Sequence, residues 1–306
     1  MRQGITILDG GMGRELQRSG APFRQPEWSA LALIESPEHV GKAHGAFAAA
    51  GADVITTNSY AVVPFHIGEE RFASDGARLI RLAGDIARKS ADAQKAAGGT
   101  VKVAGSLPPV LGSYRPDLFT VEGATPILKV LIENLSPSVD LWLAETLSST
   151  AEAKLVHELL AGDIRPLWLS FTLDDSDVAT VQDGMLAPTL RSGETIEQAA
   201  ETARACGAAA LLFNCSQPEV MEAAVKAARA ALPADVQIGI YANAFATEAD
   251  DTDANADLHD IRADLTPENY RRFAEKWVKA GATMIGGCCG IGPEHIHALS
   301  SGFRAS

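Results

Sequence analysis

Short apolar, β-branched runs alternate along the chain with longer segments whose apolar residues recur at helical spacing. The runs at 5–8, 53–57, 101–105, 140–144, 167–171, 209–213, 236–241 and 283–285 predict eight strands. Between them, Val40, Ala43, His44 and Phe47 share one helical face, and Tyr270, Phe273, Ala274 and Trp277 share another. Ser36-Pro37-Glu38, Thr266-Pro267-Glu268 and Gly292-Pro293-Glu294 put a proline in the first turn beside an acid, a helix-start signal. Ala280-Gly281 reads as a helix stop before the last strand. Eight strand–helix units, with no linker, internal repeat or low-complexity tract, predict a single α/β domain over residues 1–306, a (β/α)8 TIM barrel. A doubly wound open sheet is the competitor and usually shows fewer units or a second domain.

In such a barrel the chemistry sits at the C-terminal ends of the strands. That rule sorts candidate residues by position. The strand ends are Asp9-Gly10-Gly11-Met12-Gly13, Thr57-Asn58-Ser59-Tyr60, Glu145-Thr146, Asn214-Cys215, Tyr241 to Asn243, and Gly286-Gly287-Cys288-Cys289-Gly290. Two long connections, 107–119 with Tyr114-Arg115-Pro116-Asp117 and the acidic 244–265, are expected to form the rim.

Composition narrows the function classes. The chain has 306 residues, 46% hydrophobic and 21% charged, which supplies a large core and excludes a disordered chain. Its net charge of −13, from 26 basic and 39 acidic residues, disfavours a nucleic-acid or anionic-membrane surface. No run approaches the roughly 20 apolar residues of a membrane span. The start MRQGITILDGGMG lacks the features of a signal peptide, so a cytoplasmic location is expected.

The four cysteines are the most informative residues. Cys206 stands beside Gly207 in a helical segment and reads as core packing. Cys215, Cys288 and Cys289 follow strands six and eight, on the same rim of the predicted barrel. Three thiolates suit a soft tetrahedral ion such as Zn2+ and leave a fourth position open, the pattern of a catalytic site. The flanking glycines are expected to let both neighbouring sulfurs turn toward one ion. Buried small hydrophobes are the plainer alternative, and matched strand ends argue against it. Three anionic sulfurs weaken zinc as an activator of water, which favours binding and ionising a substrate thiol. The reaction class is then alkyl transfer to sulfur.

These elements resemble the homocysteine S-methyltransferase family. The matching pieces are Leu8-Asp9-Gly10-Gly11-Met12-Gly13, Glu27-Trp28-Ser29-Ala30, the run 50–60 ending in Thr57-Asn58-Ser59-Tyr60, Glu145-Thr146, Asn214-Cys215 and Gly286-Gly287-Cys288-Cys289-Gly290. They lie in order over nearly the whole chain, and the double-cysteine element with its upstream Asn-Cys is the specific part. The resemblance implies a zinc-dependent (β/α)8 barrel that methylates homocysteine to methionine. It implies zinc ligation by Cys215, Cys288 and Cys289. It also implies that Glu145 holds the homocysteine ammonium, with Asp9, Gly10 and Thr57 near the amino acid. A buried ammonium needs a carboxylate partner, and amides of a glycine turn can approach a carboxylate. Asp9 as a turn cap and Thr57 as strand packing are the structural alternatives, and Asn214 is expected to orient its loop.

Family members differ in methyl donor, using S-methylmethionine, S-adenosylmethionine, betaine or a folate. Length and the Trp28-Ser29-Ala30 segment resemble the S-methylmethionine type, because 306 residues leave no room for the added domains of folate users or the extra C-terminal material of betaine users. Tyr241-Ala242-Asn243 departs from the Tyr-Pro-Asn common there. A sulfonium or ammonium donor suits aromatic faces, and Trp28, Tyr60, Phe65, Tyr114 and Tyr241 are available. A selenol acceptor, a zinc hydrolase and a zinc- or redox-sensing protein are the competing readings. The calcium-like run Asp251, Asp253, Asn255, Asp257 has Ala256 and Arg262 at the key glycine and glutamate positions and reads as a solvated acidic loop. Gly11-Met12-Gly13 lacks the third glycine of a dinucleotide turn, with Leu16 in its place. His295 and His297 read as surface or packing residues.

Overall fold

In a computed structural model of the chain, residues 4–245 and 261–304 are described; the calcium-like run and most of the acidic connection lie outside them. The strands are β1 (Thr6–Ile7), β2 (Val54–Thr56), β3 (Lys102–Leu107), β4 (Leu141–Leu147), β5 (Leu167–Phe171), β6 (Ala210–Asn214), β7 (Gln237–Ala242) and β8 (Met284–Gly287). Every pairing is parallel, in the order β1-β8-β7-β6-β5-β4-β3-β2. A parallel bridge between Leu8 and Val54, with Asp53 N donating to Ile7 O at 2.7 Å and Asp9 N to Val54 O at 3.1 Å, closes the ring. This is the predicted (β/α)8 barrel, and each of the eight expected runs forms a strand.

The crossover helices are α1 (Pro37–Ala49), α2 (Ala77–Ala96), α3 (Val121–Leu135), α4 (Thr150–Leu159), α5 (Ile196–Ala205), α6 (Pro218–Ala231), α7 (Pro267–Ala280) and α8 (Pro293–Arg304). Proline opens α1, α7 and α8 as expected, Thr266 caps Asn269 N, and Gly281 ends α7 with φ 124°. Among the described residues no helix is long and apolar enough to cross a membrane.

Two apolar layers follow from the strand period of two. Leu8, Val54, Ala104, Leu141, Leu143, Trp168, Ala210, Leu212 and Met284 fill the barrel. Ile7, Ile55, Val103, Trp142, Leu169, Leu211, Phe213, Ile240 and Ile285 face the helices. Extending the inner alternation by two residues points Ser106, Glu145, Ser170 and Asn214 into the C-terminal mouth. The predicted strands stopped too early there. Glu145 and Asn214 lie within β4 and β6 because parallel neighbours keep pairing backbone past the last apolar residue.

His44, on the buried face of α1, is fully enclosed, and neither ring nitrogen has a hydrogen-bond partner among the described residues. Burial lowers its pKa from 6.5 to about 4. The folded state therefore binds fewer protons than the unfolded chain between those values, and this residue costs stability as pH falls through that window. His44→Leu should gain about 2 kcal/mol relative to the wild type on moving from pH 7.5 to pH 5, read from paired denaturant melts. A pH-independent difference would refute the buried neutral state.

Candidate active site and metal centre

One cavity opens at the C-terminal mouth and encloses about 940 Å³ measured out to solvent. Asp9, Gly10, Thr57, Glu145, Cys215, Cys288 and Cys289 all line it. The seven residues marked in the sequence thus meet, although they come from the ends of β1, β2, β4, β6 and β8.

Packing between the first and last strand ends shapes the floor. Gly11 N donates to Ile291 O at 2.9 Å, and Gly287 N donates to Asp9 O at 3.0 Å. A Cβ on Gly11 would sit 2.5 Å from the Cys288 carbonyl oxygen, and one on Gly286 would sit 2.5 Å from Leu8 Cβ. The glycine-rich stretch was expected to serve unusual backbone angles. Within it only Gly290, at φ 85°, does so; Gly286 is needed for close approach to the end of β1. Tyr270 reaches under this floor from α7 and donates to Ala242 O at 3.1 Å and Gly286 O at 2.8 Å, holding the ends of β7 and β8 together.

The three sulfurs lie within 4.8 Å of one another. Cys289 Sγ is 3.9 Å from both Cys215 Sγ and Cys288 Sγ, and the Cys215–Cys288 pair is closer at 2.7 Å. Sulfurs of a tetrahedral zinc site stand about 3.8 Å apart, given Zn–S bonds near 2.3 Å. Two separations match that edge, and the donor set fits a thiophilic ion. Among the described residues no other cluster of His, Cys, Asp or Glu meets the same test. Cys206 is buried at the end of α5, as its packing role requires.

Asp9 accepts from Thr56 N at 2.7 Å and Thr56 Oγ1 at 3.2 Å. Burial outweighs these bonds and raises its pKa to about 7. Glu145 follows Leu141 and Leu143 on the inner face of β4, just where the β4–β5 register shifts between Ala144 and Leu147. Its carboxylate accepts from Ser106 Oγ at 2.5 Å and Tyr241 OH at 3.4 Å. Burial again dominates, and the charge of Asp9 adds to it, so Glu145 also rises to about 7. Two buried carboxylates thus face one cavity and raise each other's cost of ionisation, an arrangement that favours a cationic guest.

Thr57 lines the cavity, but its hydroxyl is engaged by Ser106 N at 3.0 Å and Ser59 Oγ at 2.9 Å. Asn214 does not line it. Its side chain accepts from Thr146 N at 3.0 Å and Ser170 Oγ at 2.7 Å and donates to Thr146 Oγ1 at 2.8 Å, the orienting role expected of it. Trp28, Tyr60, Tyr114 and Tyr241 border the cavity, and Phe65 does not: it is 43% exposed on the outside. Phe245, Arg14, Thr56 and Ser113 also border it and were missed. Ser106 was missed too, although its alternation with Ala104 was a usable signal; Arg14 lay in a helix and had none. His295 is buried and bonded between Gly292 N and Leu265 O, and His297 is exposed, so neither joins the thiols.

Four non-glycine residues among those described have left-handed backbone: Trp28, Tyr114, Thr146 and Cys215, with φ between 50° and 63°. All four line this cavity. Such conformations are costly and persist where surrounding bonds over-determine them, as at functional sites.

A thiol triad and a carboxylate pair gathered at the strand ends of a (β/α)8 barrel have the form of an enzyme site with a place for a thiophilic metal. The family model described as homocysteine S-methyltransferase matches residues 6–303, and the chain belongs to that family of methyltransferases. It is 28% identical to homocysteine S-methyltransferase 1 of Arabidopsis thaliana, over 97% of this chain and 93% of that protein. It is 27% identical to a selenocysteine methyltransferase of Astragalus bisulcatus, over 96% and 91%. The metallated form of the homocysteine methyltransferase MmuM from Escherichia coli superposes with a TM-score of 0.78 at 28% identity, covering 98% of this chain and 96% of that one.

Asn214→Ala should destabilise the fold by about 2 kcal/mol in denaturant titration, because it leaves the buried Thr146 N–H and the Ser170 hydroxyl without their acceptor. No loss of stability would show that the network is dispensable.

Proposed function

We propose that the protein works as a single barrel domain that transfers a methyl group from a sulfonium donor, S-methylmethionine, to the thiol of L-homocysteine, with zinc as its metal. The observation that carries this reading is the convergence of three thiols and two ammonium-seeking carboxylates in one cavity. Cys215, Cys288 and Cys289 would hold the ion, which supplies the Lewis acidity that ionises an acceptor thiol near neutral pH.

Glu145 and Asp9 take the acceptor's ammonium, which relieves their mutual repulsion. The Asp9-Gly10-Gly11 turn borders the same volume and suits the amino acid's carboxylate. Trp28, Tyr60, Tyr114 and Tyr241 offer aromatic faces to a cationic donor. With donor and acceptor aligned, the acceptor sulfur forms its bond to the methyl carbon as the donor's sulfur–methyl bond breaks. The donor's electron pair returns to its sulfur as a neutral thioether, and the thiol proton is lost to solvent. Positioning supplies the rate, and no side chain need act as general base. The name of the Astragalus relative favours a selenol as an alternative acceptor. Reduced thiols suit the cytoplasm.

Methionine should form from homocysteine and S-methylmethionine with zinc and reductant present, and Cys288→Ala should abolish both turnover and bound zinc. Zinc-loaded protein that makes no methionine would reject the donor and point to betaine or another onium compound. Product methionine has no thiol to ionise and isolates the carboxylates. Its binding should tighten from pH 6 to pH 8, because ionised Asp9 and Glu145 accumulate above about 7. Glu145→Gln should weaken that binding by about 30-fold, equivalent to about 2 kcal/mol, as calorimetry would show. A flat pH profile or an unchanged affinity would remove the carboxylates from the acceptor site.

A further inference from the structure

Arg191 lies in the connection between β5 and α5 and does not border the cavity, yet its contacts converge on Cys215. Its guanidinium carbon stands 4.2 Å from the centre of the Tyr114 ring. Its Nη2 pairs with Asp175 Oδ1 at 2.7 Å, and its Nε donates to Thr172 Oγ1 at 3.2 Å. Each of these three partners leads onward. Tyr114 OH donates to the Cys215 carbonyl oxygen at 3.0 Å, and Thr172 Oγ1 reaches the same oxygen at 3.5 Å. Asp175 Oδ2 accepts from Gln217 N at 3.0 Å, two residues beyond the cysteine. Tyr114 and Cys215 are both in left-handed backbone, at φ 63° and 53°. Neither conformation holds itself, so the bonds around them must do so.

We propose that Arg191 is a positioning residue that, through Tyr114, Thr172 and Asp175, holds the Cys215 turn so that its sulfur faces Cys288 and Cys289. This rests on the reading that the triad holds a metal. A guanidinium suits this role, because its plane stacks on the phenol ring while its edge serves a carboxylate and a hydroxyl at once. An ammonium is a compact point charge without that planar fork, so it cannot stack on the ring while bonding both other partners in the same geometry. The relay also pins the connection after β3 across the mouth, so the same cation couples the cavity wall to the thiols.

The test is zinc affinity of the intact protein, measured by competition with a chromophoric chelator, beside thermal melts of the zinc-free protein. Arg191→Met should lower zinc affinity at least about 10-fold, the range seen when residues that orient metal ligands are removed. Arg191→Lys should recover only part of it. Tyr114→Phe, which removes only the hydroxyl, should lose affinity similarly, and the double variant should lose less than the two single losses combined. A lower melting temperature with wild-type zinc affinity in both Arg191→Met and Tyr114→Phe would make Arg191 merely structural and overturn the proposal alone. If the wild type failed to bind zinc, or Cys215→Ala bound it as tightly, the metal reading would fall and this proposal with it.

Discussion

The close contact between the first and last strand ends is the constraint on which the rest of the site depends. The Leu8–Gly11 turn and the Gly286–Ile291 segment press together at distances that admit no side chain on Gly10, Gly11 or Gly286. That contact joins the ring at its mouth. It brings Asp9 beside the thiols and places Cys288 and Cys289 against β6, where Cys215 waits. Tyr270, packed from α7, fastens the same ends from below. A side chain forced into this seam would separate the barrel's closure from the thiol geometry.

Above the seam, the site holds an unrelieved electrostatic strain. Asp9 and Glu145 are buried together, and their hydrogen bonds to Thr56 and Ser106 do not offset the loss of water. A guest that brings an ammonium lowers the cost of both. On the proposed function, the carboxylates favour an ammonium and the thiol triad favours a soft donor atom. Together these two preferences describe an amino acid with a sulfur end, in keeping with the family to which the chain belongs.

Backbone strain is concentrated in the same place. Trp28, Tyr114, Thr146 and Cys215 each sit in a conformation that a glycine would adopt more readily, and the last three are tied by hydrogen bonds to distant elements. Asn214 holds Thr146 from β6, and Tyr114 holds Cys215 from the connection after β3. The site is built by long-range ties between strand ends, which explains why local sequence patterns did not reveal them.

Hydrophobic alternation alone determined the number of strands, the barrel class and the rim on which Asp9, Glu145, Cys215, Cys288 and Cys289 lie, because a period of two and a period of 3.6 are local properties of the chain. Strand ends were less legible. The apolar run stops at the first polar residue, while β4 resumes pairing at Leu147 beyond Glu145 and the β6–β7 ladder runs through Asn214. Only the tertiary structure decided that Phe65 faces outward, that Phe245 and Arg14 join the site, and that Gly286 serves close approach. Those outcomes depend on how closely distant segments approach after the ring closes, a distance set by packing between residues far apart in sequence.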